Sequence, residues 1–423
     1  MAFRDHLAQA GVVTEPVSVE FGFSHLSRQK GDAPLMFDEI IEAPEQRAAV
    51  NLLTRSALCQ TWGCTSSTLG KAMIDAQQNP LAPAQIEFSE AEFSHLVSHD
   101  VDLTAVPIPK HFAEDRGRYM SASIIIAEYG RRRNLSFHRM YLRSPDSVVA
   151  RLVPRHLYKM VEEARARGEE VPIAVVNAPD PTVLLAAAMS FESHIDELQI
   201  AARLHQRLVG SDLEVCLAPN GITVPADSEY VWLGSITTED DLEGPYVDIT
   251  GTLDTVRMQP VIRFESQYRK ESSVFHALIP SGAEHRTLMG LPRAPIIQNA
   301  VNAVCPCHDV VLTAGGSGWL SVVIQITPRQ PFDAHDALMA AFASHTSVKQ
   351  VVAVDRDIDP EDPVAVEWAL MTRWQPGKDS IILENQRGSS LDPSCNSDGT
   401  TSKIGKDATI PFGIDRASFE RVR

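Results

Sequence analysis

The sequence predicts an α/β + β protein in three parts: a mixed N-terminal region, a β-rich middle that reads as a barrel-like sheet, and an α/β end. Three observations predict it. Short β-prone runs with few helices crowd residues 121–277, the pattern of a mainly antiparallel barrel. Beyond residue 300 the order becomes β-β-α-β-α, which is that of an α/β domain. The chain has 423 residues, 44% apolar and 22% charged, enough for about two or three domains with large cores.

Each element has its own signal. Helical patterns run from residue 45 to about residue 58 and over 69–78, the second ending before Asn79-Pro80. Residues 100–109, with Pro107 and Pro109, read as a linker. Strands are expected at 121–129 and 137–142, flanking a turn at Asn134. A strand over 171–176 leads into Asp180-Pro181. Asp180 has the chemistry of a helix N-cap and Pro181 suits a first turn, so a helix is expected over 182–189. Runs at 211–216, 229–234, 246–250, 261–268 and 274–277 complete the middle sheet. In the last part, strands 310–314 and 320–326 are joined through Gly315-Gly-Ser-Gly318. A helix over 334–343 precedes a strand at 348–354, and the loop 355–363 precedes a helix over 364–372.

The formal charge of −17 disfavours nucleic acid and anionic lipid as partners. An anionic substrate would then need a local cationic pocket, which makes buried arginines interesting. No apolar run approaches the ~18–20 residues that cross a bilayer. Met-Ala-Phe-Arg-Asp-His at the start lacks the apolar core of a signal peptide. Six cysteines in this length do not make a disulfide framework, so a reducing cytoplasm is the expectation.

Asn134-Leu-Ser-Phe-His-Arg139 places a neutral oxygen ligand and a permanent cation five positions apart. Taken alone, an arginine near a strand-borne amide is common. Glu243-Gly-Pro-Tyr-Val-Asp248 is more specific. Its Gly-Pro forces a turn, and two acids on a fixed backbone with an arginine between them can share a proton. A surface acidic hairpin is the plain alternative. His156 alone reads as a helix-start residue, and Glu214 alone as a solvent-facing strand residue. Cys305-Pro-Cys307-His308 lacks a second pair at zinc spacing. The acidic run from Asp355 to Asp362 lacks the central glycine of a calcium loop. Dinucleotide, P-loop and nucleophile-elbow motifs do not occur.

Together these segments resemble the UbiD family of prenylated-FMN-dependent reversible decarboxylases. The resemblance runs from Asn134-x-x-x-x-Arg139 through His156, Asp180-Pro181, Glu214-Val215 and Val224-Pro-Ala. It continues through Glu243-Gly-Pro-Tyr-Val-Asp248-Ile-Thr-Gly251 and Val354-Asp-Arg-Asp to Trp368–Arg373 and Ser402-Lys403-Ile-Gly-Lys-Asp407. It implies three domains: residues 1–99, α/β; 100–305, a split β-barrel that binds the flavin; and 306–423, α/β and used in oligomerisation.

The resemblance also implies a site. Asn134, His156 and Glu214 would ligate a divalent metal, usually manganese, with potassium (or sodium) nearby. Asn134, Leu135, Ser136, Phe137, His138, Arg139, Arg155, His156, Glu214 and Lys403 would contact prenylated FMN. Arg139, Glu243 and Asp248 would form the catalytic triad. The implied reaction is non-oxidative decarboxylation, or its reverse, of an aromatic, heteroaromatic or α,β-unsaturated acid. It would proceed through 1,3-dipolar cycloaddition, with Asp248 as proton donor. A flavin prenyltransferase (UbiX-type) would supply the cofactor, and a homodimer or higher homo-oligomer is expected. Two other readings are a non-catalytic flavin-binding subunit of a carboxylase complex and a flavin oxidoreductase on a split barrel. The chain departs from the family at His156-Leu-Tyr, where His-Arg-Gly is common, in having Asp rather than Glu at 248, and in its short C-terminal segment, which bears on the oligomer type.

Overall fold

The computed structural model describes residues 2–130, 132–189, 195–419 and 421. Contacts divide the chain into two units, Met1–Leu288 and Met289–Arg423. The first is built on a curled, half-barrel sheet of nine strands. In chain order these are β1 (Leu96–Ser98), β2 (Tyr119–Met120), β3 (Ile124–Tyr129), β4 (Arg132–Phe137), β5 (Met140–Ser144), β6 (Ser147–Ala150), β7 (Val171–Asn177), β8 (Tyr230–Glu243) and β9 (Arg257–Arg269). Neighbours run β2-β5-β6-β9-β8-β7-β3-β4, with β1 on β9, and every pair is antiparallel.

The residue types explain the placement. β7 is Val-Pro-Ile-Ala-Val-Val-Asn and is paired on both sides, so it tolerates an almost continuous apolar run. Ile173, Val175, Tyr230, Trp232, Ile262 and Phe264 alternate along β7, β8 and β9 and share one core. Leu157, Met160, Val161 and Ala164 pack on it from α1 (His156–Arg165), at helical i, i+3, i+4, i+7 spacing. The long β8 changes register at Leu233/Gly234 and again between Ile236 and Asp240. Those two shifts deliver Glu243 opposite Arg257 at its far end. The Asp180 side chain caps α2 (Pro181–Ala188), accepting from Thr182 N at 2.8 Å. Asp196 caps α3 (Glu197–Leu208), accepting from Leu198 N at 3.0 Å.

The second unit carries a five-stranded sheet in the order Cys307–Leu312, Ser321–Ile326, Gln350–Val354, Thr400–Ala408, Ser380–Arg387. Its inner pairs are parallel and its outer pairs antiparallel. Val322, Ile324, Val351 and Ala353 face the helices Ala294–Asn302 and Asp333–Ser344. Val323, Val352 and Val354 face the helix Pro363–Arg373. Both faces are covered, as parallel strands require. No helix among the described residues is long and apolar enough to cross a membrane.

The α/β + β architecture with a barrel-like central sheet is therefore the one expected. Several local expectations change. The helix expected over 45–58 is a strand, Arg47–Val50, followed by a short helix, Arg55–Thr61. Ala48, Ala49 and Val50 are buried between Leu35–Phe37 and Val274–His276, and that pairing overrides helix propensity. Val274–His276, expected in the middle sheet, thus joins the N-terminal one. Asn134 lies inside β4 rather than in a turn. The chain reverses earlier, where Gly130 adopts φ +57°. Ser380–Arg387 and Thr400–Ala408 were not foreseen. The first exposes most of its residues, and the polar stretch between the two masks both.

Candidate active site

The site grows from three ends of the half-barrel. Arg139 stands between β4 and β5. Glu243 ends β8. Gly244, at φ +86°, then turns the chain into a small hairpin, Tyr246–Val247 with Leu253–Asp254. Asp248 follows the first arm of that hairpin and Asp254 ends the second. A side chain at Gly244 would press within 2.9 Å of the Thr255 carbonyl, so this turn requires glycine.

These elements close a cage around one guanidinium. Arg139 Nε donates to Glu243 Oε1 at 2.9 Å and Nη2 to Glu243 Oε2 at 3.0 Å, a bidentate pair. Nη1 donates to Asp248 Oδ2 at 2.5 Å, and Nη2 to Asp254 Oδ2 at 2.7 Å. The ring of Tyr246 lies under the guanidinium, 4.7 Å from its centroid. Four of its five N–H donors are thereby engaged. Among the described residues, one hydrogen on Nη1 is left to meet a ligand, beside Asp248. The carboxylates differ in access. The Glu243 side chain is fully buried, Asp254 is 11% exposed and Asp248 16% exposed, so Asp248 is the acid that solvent or substrate reaches most readily.

Supporting contacts hold the cage. Tyr119 donates to Glu243 Oε1 at 3.3 Å and accepts from Gly244 N at 3.1 Å. Burial, and then the charge of Glu243, push its phenol far above the usual range, so it stays a donor. Arg257 binds Asp254 through both oxygens, at 2.7 and 2.9 Å. Burial alone would raise the Asp254 carboxyl. Hydrogen bonds from Arg257 and Arg139 outweigh it and bring it down to about 2.

A second cluster lies along β4. The Ser136 hydroxyl is 2.8 Å from Asn134 Oδ1 and 2.9 Å from His138 Nε2. His138 Nδ1 is 3.0 Å from the Arg151 carbonyl, which can only accept, so Nδ1 carries the proton and Nε2 is an acceptor. Burial pushes the imidazole down to about 4, keeping it neutral. Asn134 Oδ1 and His138 Nε2 therefore compete for one hydroxyl proton. Beside them, Glu197 at the start of α3 meets Asn134 Nδ2 at 3.4 Å and Leu135 N at 3.3 Å. Burial pushes the Glu197 carboxyl up to about 7. The Asn134 and Glu197 oxygens with His138 Nε2 form an acceptor-rich, largely buried group, the donor chemistry of a cation site, although Arg151 and Arg155 also lie close enough to act on His138.

The expected residues are thus placed unevenly. Arg139, Glu243 and Asp248 meet. Asn134, Leu135, Ser136 and His138 line one short run, continuous with Phe137 and Arg139. His156 opens α1 after Arg155 and is half-buried, its imidazole pushed down by burial and by Lys159 and Arg155. No hydrogen bond joins it to Asn134 or Glu197. Glu214 is exposed at the start of the strand Glu214–Leu217, which pairs with Ala84–Ile86 and Thr223–Pro225. The carboxylate beside Asn134 is that of Glu197, not Glu214. Lys403 lies in the second unit, its buried ammonium donating to the Thr346 carbonyl at 2.6 Å. Among the described residues no three His, Cys, Asp or Glu side chains are grouped to hold a metal. Sequence reasoning missed Glu197 and Asp254. Glu197 follows a capping Asp at a helix start, and Asp254 lies three residues before Arg257. Neither pattern distinguishes a site residue from a structural one.

The class of protein that carries this half-barrel and its buried arginine–carboxylate cage is given by comparison with known proteins: it is a decarboxylase of the UbiD class. Residues 85–283 match the 3-octaprenyl-4-hydroxybenzoate carboxy-lyase Rift-related domain, and residues 286–408 match the C-terminal domain of the same family. The chain is 38% identical over 430 residues to anhydromevalonate phosphate decarboxylase of Methanosarcina mazei, covering 100% of this chain and 99% of that one. It is 35% identical over 417 residues to the enzyme of that name from Methanocaldococcus jannaschii, covering 97% of each. The UbiD-class enzyme HmfF of Pelotomaculum thermopropionicum, solved with FMN, superposes with a TM-score of 0.95 at 30% identity, over 100% of this chain and 97% of that one. The 3,4-dihydroxybenzoic acid decarboxylase of Enterobacter cloacae, at 23% identity and a TM-score of 0.92, is alike in fold. This chain belongs to the UbiD family and is a decarboxylase.

Proposed function

We propose that this enzyme removes carbon dioxide from anhydromevalonate phosphate, or a closely similar phosphorylated branched enoic acid, with prenylated FMN as cofactor. One observation carries the substrate: relatives 35–38% identical over nearly their whole length bear that name. Mevalonate has its hydroxyl β to the carboxyl, so loss of water leaves an alkene that can conjugate with the carboxylate. Of the acids expected from the sequence, this favours the α,β-unsaturated class over the aromatic one.

Prenylated FMN, when bound, supplies the electron sink that the departing carboxylate needs. The protein supplies position, charge and dryness. Arg139, with its remaining Nη1 hydrogen, orients the substrate carboxylate. Asp248, beside that hydrogen, returns a proton to the carbon that has lost carbon dioxide. Glu243, braced by Tyr119, holds the guanidinium from behind, and Asp254, braced by Arg257, holds it from the side. Asn134 and Glu197, with His156 following on α1, would hold a divalent cation such as manganese, and Glu197 would fill the place expected of Glu214. A hard cation there would offset the charge of a flavin phosphate, which a protein of net charge −17 otherwise repels. Potassium or sodium nearby, a flavin prenyltransferase as cofactor supplier, self-association and a cytoplasmic location belong to the same reading.

The test is carbon dioxide release by holoenzyme co-expressed with a flavin prenyltransferase. Anhydromevalonate phosphate should turn over, its dephosphorylated acid should do so poorly, and 3,4-dihydroxybenzoate should not. Turnover of the aromatic acid with none of the phosphorylated one sinks the substrate assignment. Mass spectrometry of the extracted flavin decides the cofactor independently.

A further inference from the structure

Away from this chemistry, the short helix Arg55–Thr61 ends in Cys59-Gln-Thr-Trp-Gly63-Cys64. Gly63 is left-handed, at φ +60°. Its N–H donates to the Gln60 carbonyl at 3.2 Å, and the Cys64 N–H donates to the Cys59 carbonyl at 2.9 Å. These two bonds are the signature of a glycine-terminated helix stop. In that motif the side chain three before the cap touches the one two after it, usually through an apolar contact. Here both positions are cysteine, so the motif sets two thiol side chains side by side.

The geometry suits a covalent link. With the 2.9 Å bond and ordinary covalent dimensions, the two Cα atoms are no more than about 6.8 Å apart. Disulfides span about 4.4–6.8 Å. Both residues are half-buried, within reach of a small reagent, whereas Cys216, Cys305 and Cys307 are buried. Cys395, also half-buried, donates its thiol to the Ser389 carbonyl.

We infer that Cys59 and Cys64 form a redox-modification site, a dithiol that closes to an intramolecular disulfide by exchange with a low-molecular-weight disulfide such as oxidised glutathione. One protein thiolate attacks the reagent's S–S bond and releases a glutathione thiolate. The second protein thiolate attacks the mixed disulfide and releases the other. The protein loses two S–H bonds and gains one S–S bond, and the reagent is reduced to two thiols. Burial, and then the neighbouring Cys59, push the Cys64 thiol up to about 11. Closure therefore speeds up as pH rises. The helix stop already brings the two Cα atoms within disulfide reach, so closure asks only for side-chain rotation.

The experiment treats purified holoenzyme with oxidised glutathione, then denatures it, alkylates it and maps peptides by mass spectrometry. Wild-type protein should lose two of its six alkylatable thiols and yield a cross-linked Cys59–Cys64 peptide. Dithiothreitol should restore both thiols, and closure should be faster at about pH 8.5 than at about pH 7. Cys64→Ser should instead keep a glutathione on Cys59. Six alkylated thiols in treated wild-type protein, or glutathione retained on either of these cysteines, overturns the site.

Discussion

Asp248 and Asp254 both bind Arg139, yet their roles separate. Asp248 is the more exposed, and its Oδ2 accepts from Nη1, the nitrogen whose second hydrogen is left for substrate. Asp248→Asn keeps the hydrogen-bonding shape and removes the transferable proton. It should lower kcat at least about 10²-fold with a thermal midpoint close to wild type. Asp254 is braced by two arginines, and its carboxyl is held at about 2. Its folded value lies below its unfolded one, so its contribution to stability is full above about pH 4 and is lost as pH falls towards 2. Discounted for solvent screening, Asp254→Asn should cost about 1–2 kcal/mol at neutral pH. Denaturant titrations should show that gap closing below about pH 4. Glu197 and Glu214 make a paired test. Glu197→Gln should strip divalent metal from the purified protein, and Glu214→Gln should leave it, read by elemental analysis. The reverse result returns the ligand role to Glu214.

Among the elements, β8 carries the greatest demand. Its register change at Gly234 lets one strand serve the core through Tyr230 and Trp232 and still present Glu243 to Arg139. A Cβ at Gly234 would lie 2.0 Å from the Arg263 carbonyl oxygen, and backbone there cannot give way. Gly234→Ala should cost about 3 kcal/mol or more and lower activity as Glu243 shifts, measured as thermal midpoint and kcat together. The residue alphabet announced β7, α2 and the first three strands of the second unit, because buried parallel or central strands read as apolar runs. It misreported residues 45–58, where a helical pattern yields to pairing on two sides.

For the whole molecule, a formal charge of −17 repels a phosphorylated acid at long range, and the cage, with Arg139 and Arg257 against Glu243, Asp248 and Asp254, adds no net positive charge to offset it. Screening should therefore help association. kcat/KM for a phosphorylated acid should rise about two- to five-fold from about 10 to about 150 mM salt. A fall would mean that the pocket's own field dominates. The sequence by itself determined the fold class, the family and the arginine with its first two acids, because side-chain periodicity and turn residues are local and motif order survives without coordinates. Only the tertiary structure decided which carboxylate stands beside Asn134 and that a third acid, Asp254, completes the cage. Those contacts join residues 63 and 115 positions apart. Such long-range meetings depend on strand register and helix placement, which no spacing along the chain encodes.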